Sequence, residues 1–337
     1  ARNIYDLIEV YVPGAIWINF EDGPQLGVRG SIVNRNYKYL LRVNGRIMNN
    51  KGHYGMKSEM EQWDLNDIQR IEIIRGPGSV TYGPGAVAGI INIVTHDAGS
   101  AEGLKLAARY VDKYESKGLM MSHGYKKENF NLYTFGSITS TRGFKARNFI
   151  GSNDNTPGYI GEDILTDRAP LDYFADYQKD PQIKLYLDTK FLDHWRFWAR
   201  YTQQGSTWRG NEAKTDFGSG LLNQQGVRDR QWTTTLQYDN ELRENLSITA
   251  MLSADSNDVE RRRDNENHSD PDHILNKEID FSETEVFLRT ILNWQALDWV
   301  EIAFGSEYSR DNFGPGWGDD EKDMRLGEDG IIVSGPD

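Results

Sequence analysis

The stretch IQRIEIIRGPGSVTYGPGAVAGIINIVT, residues 68 to 95, decides the reading of this chain. Its ends are rich in β-branched residues, Ile71 to Ile74 and Ile90 to Thr95, and its middle holds Gly76-Pro77-Gly78 and Gly83-Pro84-Gly85. Glycine admits positive φ and proline fixes φ, so the pattern is strand, glycine-rich loop, strand, with Arg75 at the first strand's exit and Tyr82 in the loop. Gly83, Gly85 and Ala88 also satisfy the G-x-G-x-x-A spacing of a dinucleotide site. That motif has to open a helix inside a βαβ unit, whereas these glycines lead into a strand. No G-K-[ST] follows, so a nucleotide phosphate loop is unsupported as well.

Working outward, Ile4, Leu7, Ile8 and Tyr11 recur at helical spacing and are closed by Pro13-Gly14. Leu40 to Val43 reads as a strand ending in the turn dipeptide Asn44-Gly45, and Leu65 to Ile68 as a helical turn. After Ala98-Gly99-Ser100 the helical signal disappears. Long amphipathic strands follow. Ile183, Leu185, Leu187, Thr189 and Phe191 oppose Lys184, Tyr186, Asp188 and Lys190; Leu246, Ile248, Ala250, Leu252 and Ala254 oppose Ser247, Thr249, Met251, Ser253 and Asp255.

Period two fits a soluble β-sandwich as well as a membrane barrel, and connection lengths separate them. The pattern predicts nine strands near 103–112, 117–125, 129–141, 182–191, 194–206, 230–239, 245–256, 280–294 and 298–310. From the second strand on, links alternate between short (125–128, 192–194, 240–244, 295–297) and long (142–181, 207–229, 257–279, 311 onward). Tight turns at one end and long loops at the other are the plan of an outer-membrane barrel. Aromatics near strand ends, Trp195, Trp232, Tyr238, Trp294, Trp299 and Tyr308, fit interfacial girdles.

Composition agrees. The 337 residues carry 38 Lys+Arg against 51 Asp+Glu, a formal charge of -13, which argues against nucleic acid as a partner. There is no cysteine, hence no disulfide framework or thiolate metal site. A run of 18 apolar residues is absent, which excludes a transmembrane helix and leaves a barrel open. No nucleophile–base constellation or paired catalytic carboxylates stand out, so no catalytic residue, enzyme activity, cofactor or metal is expected. The six histidines lack HxxxH spacing. The acidic groups at 264–272 and 319–323 lack a calcium-loop register.

The 68–95 block resembles the plug-domain signature of TonB-dependent outer-membrane receptors. Three further blocks fall in family order: NIYDLIEVYVPG (3–14) resembles the early plug helix, PQLGVRG (24–30) the strand and turn ending in Arg29-Gly30, and LLRVNGRIMN (40–49) a strand–turn element. The resemblance implies a mainly β fold, with a small α+β plug domain at 1–97 and antiparallel transmembrane β-barrel strands at 98–337. It implies active import of a scarce ligand through the outer membrane, in contact with its lipid and powered by TonB and its inner-membrane energising complex. A ferric siderophore is the expected cargo, with cobalamin or a saccharide as alternatives in the same class. A passive porin-like barrel or a soluble β-rich binding module is more remote.

By the same resemblance Arg29, Gly30, Arg75, Gly76, Pro77, Tyr82, Gly83 and Gly89 fall on plug motifs with structural or gating roles. Plug arginines of the family are held by barrel carboxylates, for which Asp188, Glu301 and Glu307 are the candidates here. Ligand-binding candidates are Tyr82, Trp208, Arg209, Arg261, Arg262 and Arg263, since ferric chelates are commonly anionic and aromatic-rich loops suit them; Tyr159, Tyr173, Phe174 and Tyr177 lie in the longest loop. Two departures stand out: no TonB box or first plug strand precedes Ala1, and nine strands fall short of the about twenty-two of a plugged transporter. A 97-residue plug has a radius of gyration of about 12 Å and cannot fit inside nine strands, so the sequence is expected to be part of a longer chain.

Overall fold

A computed structural model of the chain describes residues 3–20, 23–32, 36–51, 55–56, 59–78, 82, 85–112, 116–140, 144–145, 172–173, 181–208, 225–263, 276–314, 324–326 and 332–334. Its first element is helix α1 (Ile4–Tyr11). Asn3 caps it, its Oδ1 accepting from the Asp6 backbone N–H at 3.1 Å, and Val12 leaves it in extended conformation ahead of Pro13. The face turned inward is Ile4, Tyr5 and Ile8; the expected Tyr11 is exposed. Tyr5 takes the inner place because Asn36 and the Trp17 ring, 6.1 Å away, receive it.

Two small sheets complete the N-terminal unit. The strands β1 (Ala15–Phe20), β2 (Gly23–Val28) and β3 (Ser31–Ile32) form an antiparallel sheet. The second has the order β5-β4-β7-β6, from β4 (Tyr39–Val43), β5 (Arg46–Ile47), β6 (Ile68–Arg75) and β7 (Gly89–Thr95), with β4 and β7 parallel. Both central strands are apolar runs because both faces are covered. Leu41, Val43, Ile91 and Ile93 bury against Ile4, Tyr5, Ile8, Met48, Met56 and Met60. The turn between β4 and β5 has positive φ at both Asn44 (50°) and Gly45 (86°), which is the demand that the Asn-Gly dipeptide meets. Residues 65–68 form a single turn, with Ile68 N–H donating to Leu65 O at 3.1 Å.

The remainder is one antiparallel meander. In order across the sheet run β8 (Gly103–Val111), β9 (Ser116–Lys127) and β10 (Phe130–Ser140), then, past the two-residue pair β11 (Phe144–Lys145) and β12 (Asp172–Tyr173), β13 (Gln182–Phe191), β14 (Trp195–Trp208), β15 (Gln225–Arg243), β16 (Leu246–Arg263), β17 (Asn276–Leu297) and β18 (Val300–Gly314). A last short pair is β19 (Met324–Leu326) and β20 (Ile332–Ser334). All nine expected strands are present and in the expected order. Strands β15 to β17 run beyond their expected ends at the long-loop side, because residues such as 225–229 and 257–263 hold one apolar residue each, Val227 and Val259, and so carry no apolar alternation.

Burial across this sheet is inverted relative to a soluble sandwich. Lys184 and Thr233 are 1% and 0% exposed, whereas Leu185 and Leu252 are 48% and 49% exposed. Polar side chains face the N-terminal unit and apolar ones face outward, the arrangement that a hydrocarbon surround stabilises. On the outer face, the Trp195 and Tyr238 rings meet at a tilt with centroids 4.8 Å apart, and Tyr201 and Trp232 do so at 4.7 Å, in register on β14 and β15. These two aromatic rows are separated by about 20 Å along the strand at the usual rise. Among the described residues no helix is long and apolar enough to cross a membrane.

Candidate functional site

The N-terminal unit meets the inner face of the nine-strand wall along a seam rich in ionised groups. One part is the turn-rich segment Glu59 to Asp67, which precedes β6. Asp64 shapes it locally, its Oδ1 accepting from the Asn66 backbone N–H at 2.8 Å. The segment is stitched to the wall by backbone contacts: Gln182 Nε2 donates to Glu61 O, Trp63 N–H to Gln182 Oε1, Gln62 Nε2 to Gln203 O and Arg109 Nη1 to Trp63 O, each at 3.0 Å.

At its centre two carboxylates of the unit meet two cations of the wall. Arg200 on β14 donates from Nε to Glu59 Oε1 at 2.5 Å and from Nη2 to Glu59 Oε2 at 2.8 Å, and Nη2 also reaches Asp67 Oδ2 at 2.7 Å. Lys184 on β13 donates to Asp67 Oδ1 at 2.7 Å and to Asp64 O at 2.9 Å. All four side chains are 0–1% exposed. Burial alone would push the Asp67 carboxyl up; the charges of Lys184 and Arg200 outweigh it and hold the group at about 2.

A second cluster has the opposite polarity. Arg46 on β5 donates from Nε to Asp255 Oδ2 at 2.9 Å and pairs with Glu285, while its guanidinium lies 4.3 Å from the Phe287 ring centroid. Lys51 Nζ pairs with Asp311 at 2.6 Å and Glu285 at 2.9 Å. Burial lowers the proton affinity of Lys51, but the hydrogen bonds it donates to Asp311 and Glu285 prevail and raise it. The unit therefore presents acid to the wall at one place and base at another. A third contact is polar and neutral: Asn44 Nδ2 donates to Tyr186 OH at 3.0 Å, and that hydroxyl donates to Asp188 at 2.6 Å.

The expected pairing of motif arginines with wall carboxylates is only half right. Arg46 plays that part, and Arg29 and Arg75 do not: both are exposed. Asp188 is engaged by Arg196, at 2.5 Å on the wall itself, Glu307 faces Arg289 at 3.4 Å, and Glu301 is exposed. Arg29 and Gly30 form a left-handed turn, with φ 54° and 78°. Gly76 has φ 108°, and its N–H donates to Ala88 O at 3.0 Å beside the exposed Pro77, so the β6 exit is closed onto the β7 entry. Gly89 is forced by close approach, since a Cβ there would stand 2.8 Å from Ile74 O. Tyr82 is half-buried under the Arg42 guanidinium, 5.3 Å from its ring centroid.

The ligand candidates in the loops are placed less fully. Trp208 and Arg261 to Arg263 close β14 and β16 at their long-loop ends; Arg209 and Gly83 lie outside the described residues, as do Tyr159, Phe174, Tyr177 and both acidic groups. No cluster of His, Asp and Glu suited to a metal occurs among the described residues. Beside Tyr82, the seam opens into a cavity of about 610 Å³ between β4–β5 and β16–β18.

Comparison with known proteins gives one answer at three levels. Residues 1–90 match the family model of the TonB-dependent Receptor Plug Domain. The ferric enterobactin receptor PirA of Pseudomonas aeruginosa is 25% identical over 221 residues, covering 62% of this chain and 28% of that protein. A second ferric enterobactin receptor of the same organism is 31% identical over 116 residues, covering 30% of this chain and 16% of that protein. Among solved structures, the ferric enterobactin receptor PfeA of P. aeruginosa superposes with a TM-score of 0.63 at 19% identity, over 93% of this chain and 47% of that one. The ferric-catecholate import receptor Fiu of E. coli gives 0.59 at 13% identity, over 98% and 49%. The solved structures establish the fold, and this chain spans about half the length of those receptors.

Proposed function

This chain belongs to the TonB-dependent receptor family, and we propose that it serves the active import of a ferric siderophore across the bacterial outer membrane. In this reading residues 1–97 are the plug and residues 98–337 contribute barrel strands set in outer-membrane lipid. The observation that carries the reading is the ionic seam. Buried ion pairs cost nearly as much desolvation as they return in attraction, so they specify how two bodies fit while adding little net stability. A plug that has to be moved and reseated needs that combination; an apolar seam of the same area would hold it shut. The outer membrane has no ATP of its own, so TonB and its energised complex would deliver the work.

Two curated relatives are named as ferric enterobactin receptors, and the structural neighbour Fiu as a ferric-catecholate import receptor. That supports a ferric chelate, received by Tyr82 on the plug and by Trp208, Arg209, Arg261, Arg262 and Arg263 at the long-loop ends of the wall. The motif residues Arg29, Gly30, Arg75, Gly76, Pro77, Gly83 and Gly89 would shape the plug. The test is growth of a deletion strand with ferric enterobactin as sole iron source: restoration by the gene is expected, and equal growth without it contradicts the reading.

A further inference from the structure

Next to the second ion-pair cluster, between the segment that follows β5 in the plug and strands β15 to β18 of the wall, lies a cavity of about 30 Å³. At about 10–15 Å³ for one water, it has room for a small ion and a water or two. Two inward-facing rows of the wall line it. Gln231, Asn257 and Glu283 are direct neighbours across β15, β16 and β17; in the next row Asp255, Glu285 and Asp311 are neighbours across β16, β17 and β18. Directly opposed side chains stand about 5 Å apart, so Gln231 and Asn257 are in reach of each other. They do not pair. Asn257 is 4% exposed and neither its Oδ1 nor its Nδ2 has a hydrogen-bond partner among the described residues; Gln231 is 6% exposed and its Oε1 has none. Buried amide groups are nearly always hydrogen-bonded, so these two call for an occupant of the space they line.

The charge around them says of which kind. Four carboxylates line the cavity, Asp255, Glu283, Glu285 and Asp311. Arg46 is held by Asp255 and Glu285; Lys51 is held by Glu285 and Asp311, and its backbone N–H donates to Glu283 Oε2 at 3.1 Å. Two of the four negative charges are left over. Farther along the seam Arg289 stands with Glu307, and Arg42 is under the influence of Glu72, so neither supplies the missing charge.

We propose that this cavity is a calcium site joining plug and wall, with the amide oxygens of Asn257 and Gln231 and carboxylate oxygens of Asp255 and Glu283 as ligands and water filling the remaining positions. The donor set is all oxygen, which selects a hard cation, and a divalent one matches the residual charge. Magnesium demands a near-ideal octahedron and keeps its waters, whereas calcium accepts an irregular mixture of amide and carboxylate oxygens. A cage of three or more carboxylates or histidines does not occur among the described residues; here two amides stand in for part of it. The ion relieves repulsion among the carboxylates that hold Arg46 and Lys51, and so tightens the plug's seat whatever the cargo.

The test uses the receptor extracted from outer membranes in detergent, freed of divalent ions with a chelator and dialysed against about 1 mM radioactive calcium, the upper end of the range for extracellular sites. Wild type should bind one calcium ion more per chain than N257L, and Q231L should hold that ion at least about tenfold more weakly, as disturbed ligand sets do. N257D, which puts a carboxylate in place of the amide, should tighten it. Calcium should also slow hydrogen exchange of the amides at 46–51 in wild type and leave N257L unchanged, a difference that a merely structural role of Asn257 would not produce. If N257L does not assemble, the Q231L and N257D comparisons decide by themselves. Equal calcium binding in wild type and the assembled variants overturns the inference and leaves the cavity with water alone.

Discussion

Arg200 of the wall grips Glu59 of the plug through two parallel contacts, Nε to Oε1 at 2.5 Å and Nη2 to Oε2 at 2.8 Å, with both side chains withdrawn from solvent. A guanidinium is the one cation whose planar fork matches a carboxylate in this way. Removing it leaves Glu59 and Asp67 buried with Lys184 as their sole cation. R200M should therefore loosen the plug by about 3–5 kcal/mol, the usual cost of orphaning a buried charge. The double change R200M/E59M, which keeps the Lys184–Asp67 pair, should recover most of that loss. Hydrogen exchange of the amides at 59–67 reads both; unchanged protection in R200M contradicts the account.

Acid should release the same latch. The Asp67 carboxyl is held at about 2 against an ordinary 3.8, so its contribution of about 2 kcal/mol is present above about pH 4 and disappears as pH falls towards 2. In D67N that acid limb should flatten. Intrinsic fluorescence of Trp63, buried beside the latch, followed from pH 5 to 2 in both proteins checks it. Identical titrations would exclude Asp67 as the responsible group.

Much of this architecture is legible in the sequence, and the limit is physical. Local periodicity marked α1 and all nine wall strands, because each is encoded by neighbours a few residues apart. The Asn44-Gly45 turn was equally visible, since it needs positive φ at two successive residues. The seam was not. Arg200 and Glu59 are 141 positions apart and Arg46 and Asp255 are 209, and neither pair leaves a mark on local pattern. The segment 59–67 has no repeat of its own; its function is defined by the wall it touches. Sequence pointed to Arg29 and Arg75 because they sit in recognisable motifs, yet those arginines shape turns and strand ends while Arg46 makes the contact.

The inverted burial of the wall makes a prediction of its own. Leu252 and Val286 project outward near mid-strand, both 49% exposed. Arginine at either should cost about 2–4 kcal/mol at the centre of a bilayer. Serine at the same positions should be milder. Heat-modifiable gel mobility of the assembled protein measures the effect; full tolerance of L252R would argue that this face does not meet lipid.

Gly89 tests the plug hinge between β6 and β7. Any side chain would drive a carbon to 2.8 Å from the Ile74 carbonyl oxygen, a backbone atom that cannot move aside. G89V should destabilise the plug by about 1–3 kcal/mol, as overpacking does. Protease sensitivity of the plug in assembled receptor is the readout, and resistance equal to wild type would show that the two strands can part there at little cost.

The central claim is that an energised partner works a plug held by ionic latches so that a ferric chelate can pass. Its most direct measurement is accumulation of radioactive ferric enterobactin in iron-starved cells carrying the receptor, with TonB present and absent. The account predicts saturable accumulation that requires both the receptor and TonB, while surface binding persists when TonB is missing. Accumulation that proceeds at the same rate without TonB would contradict it.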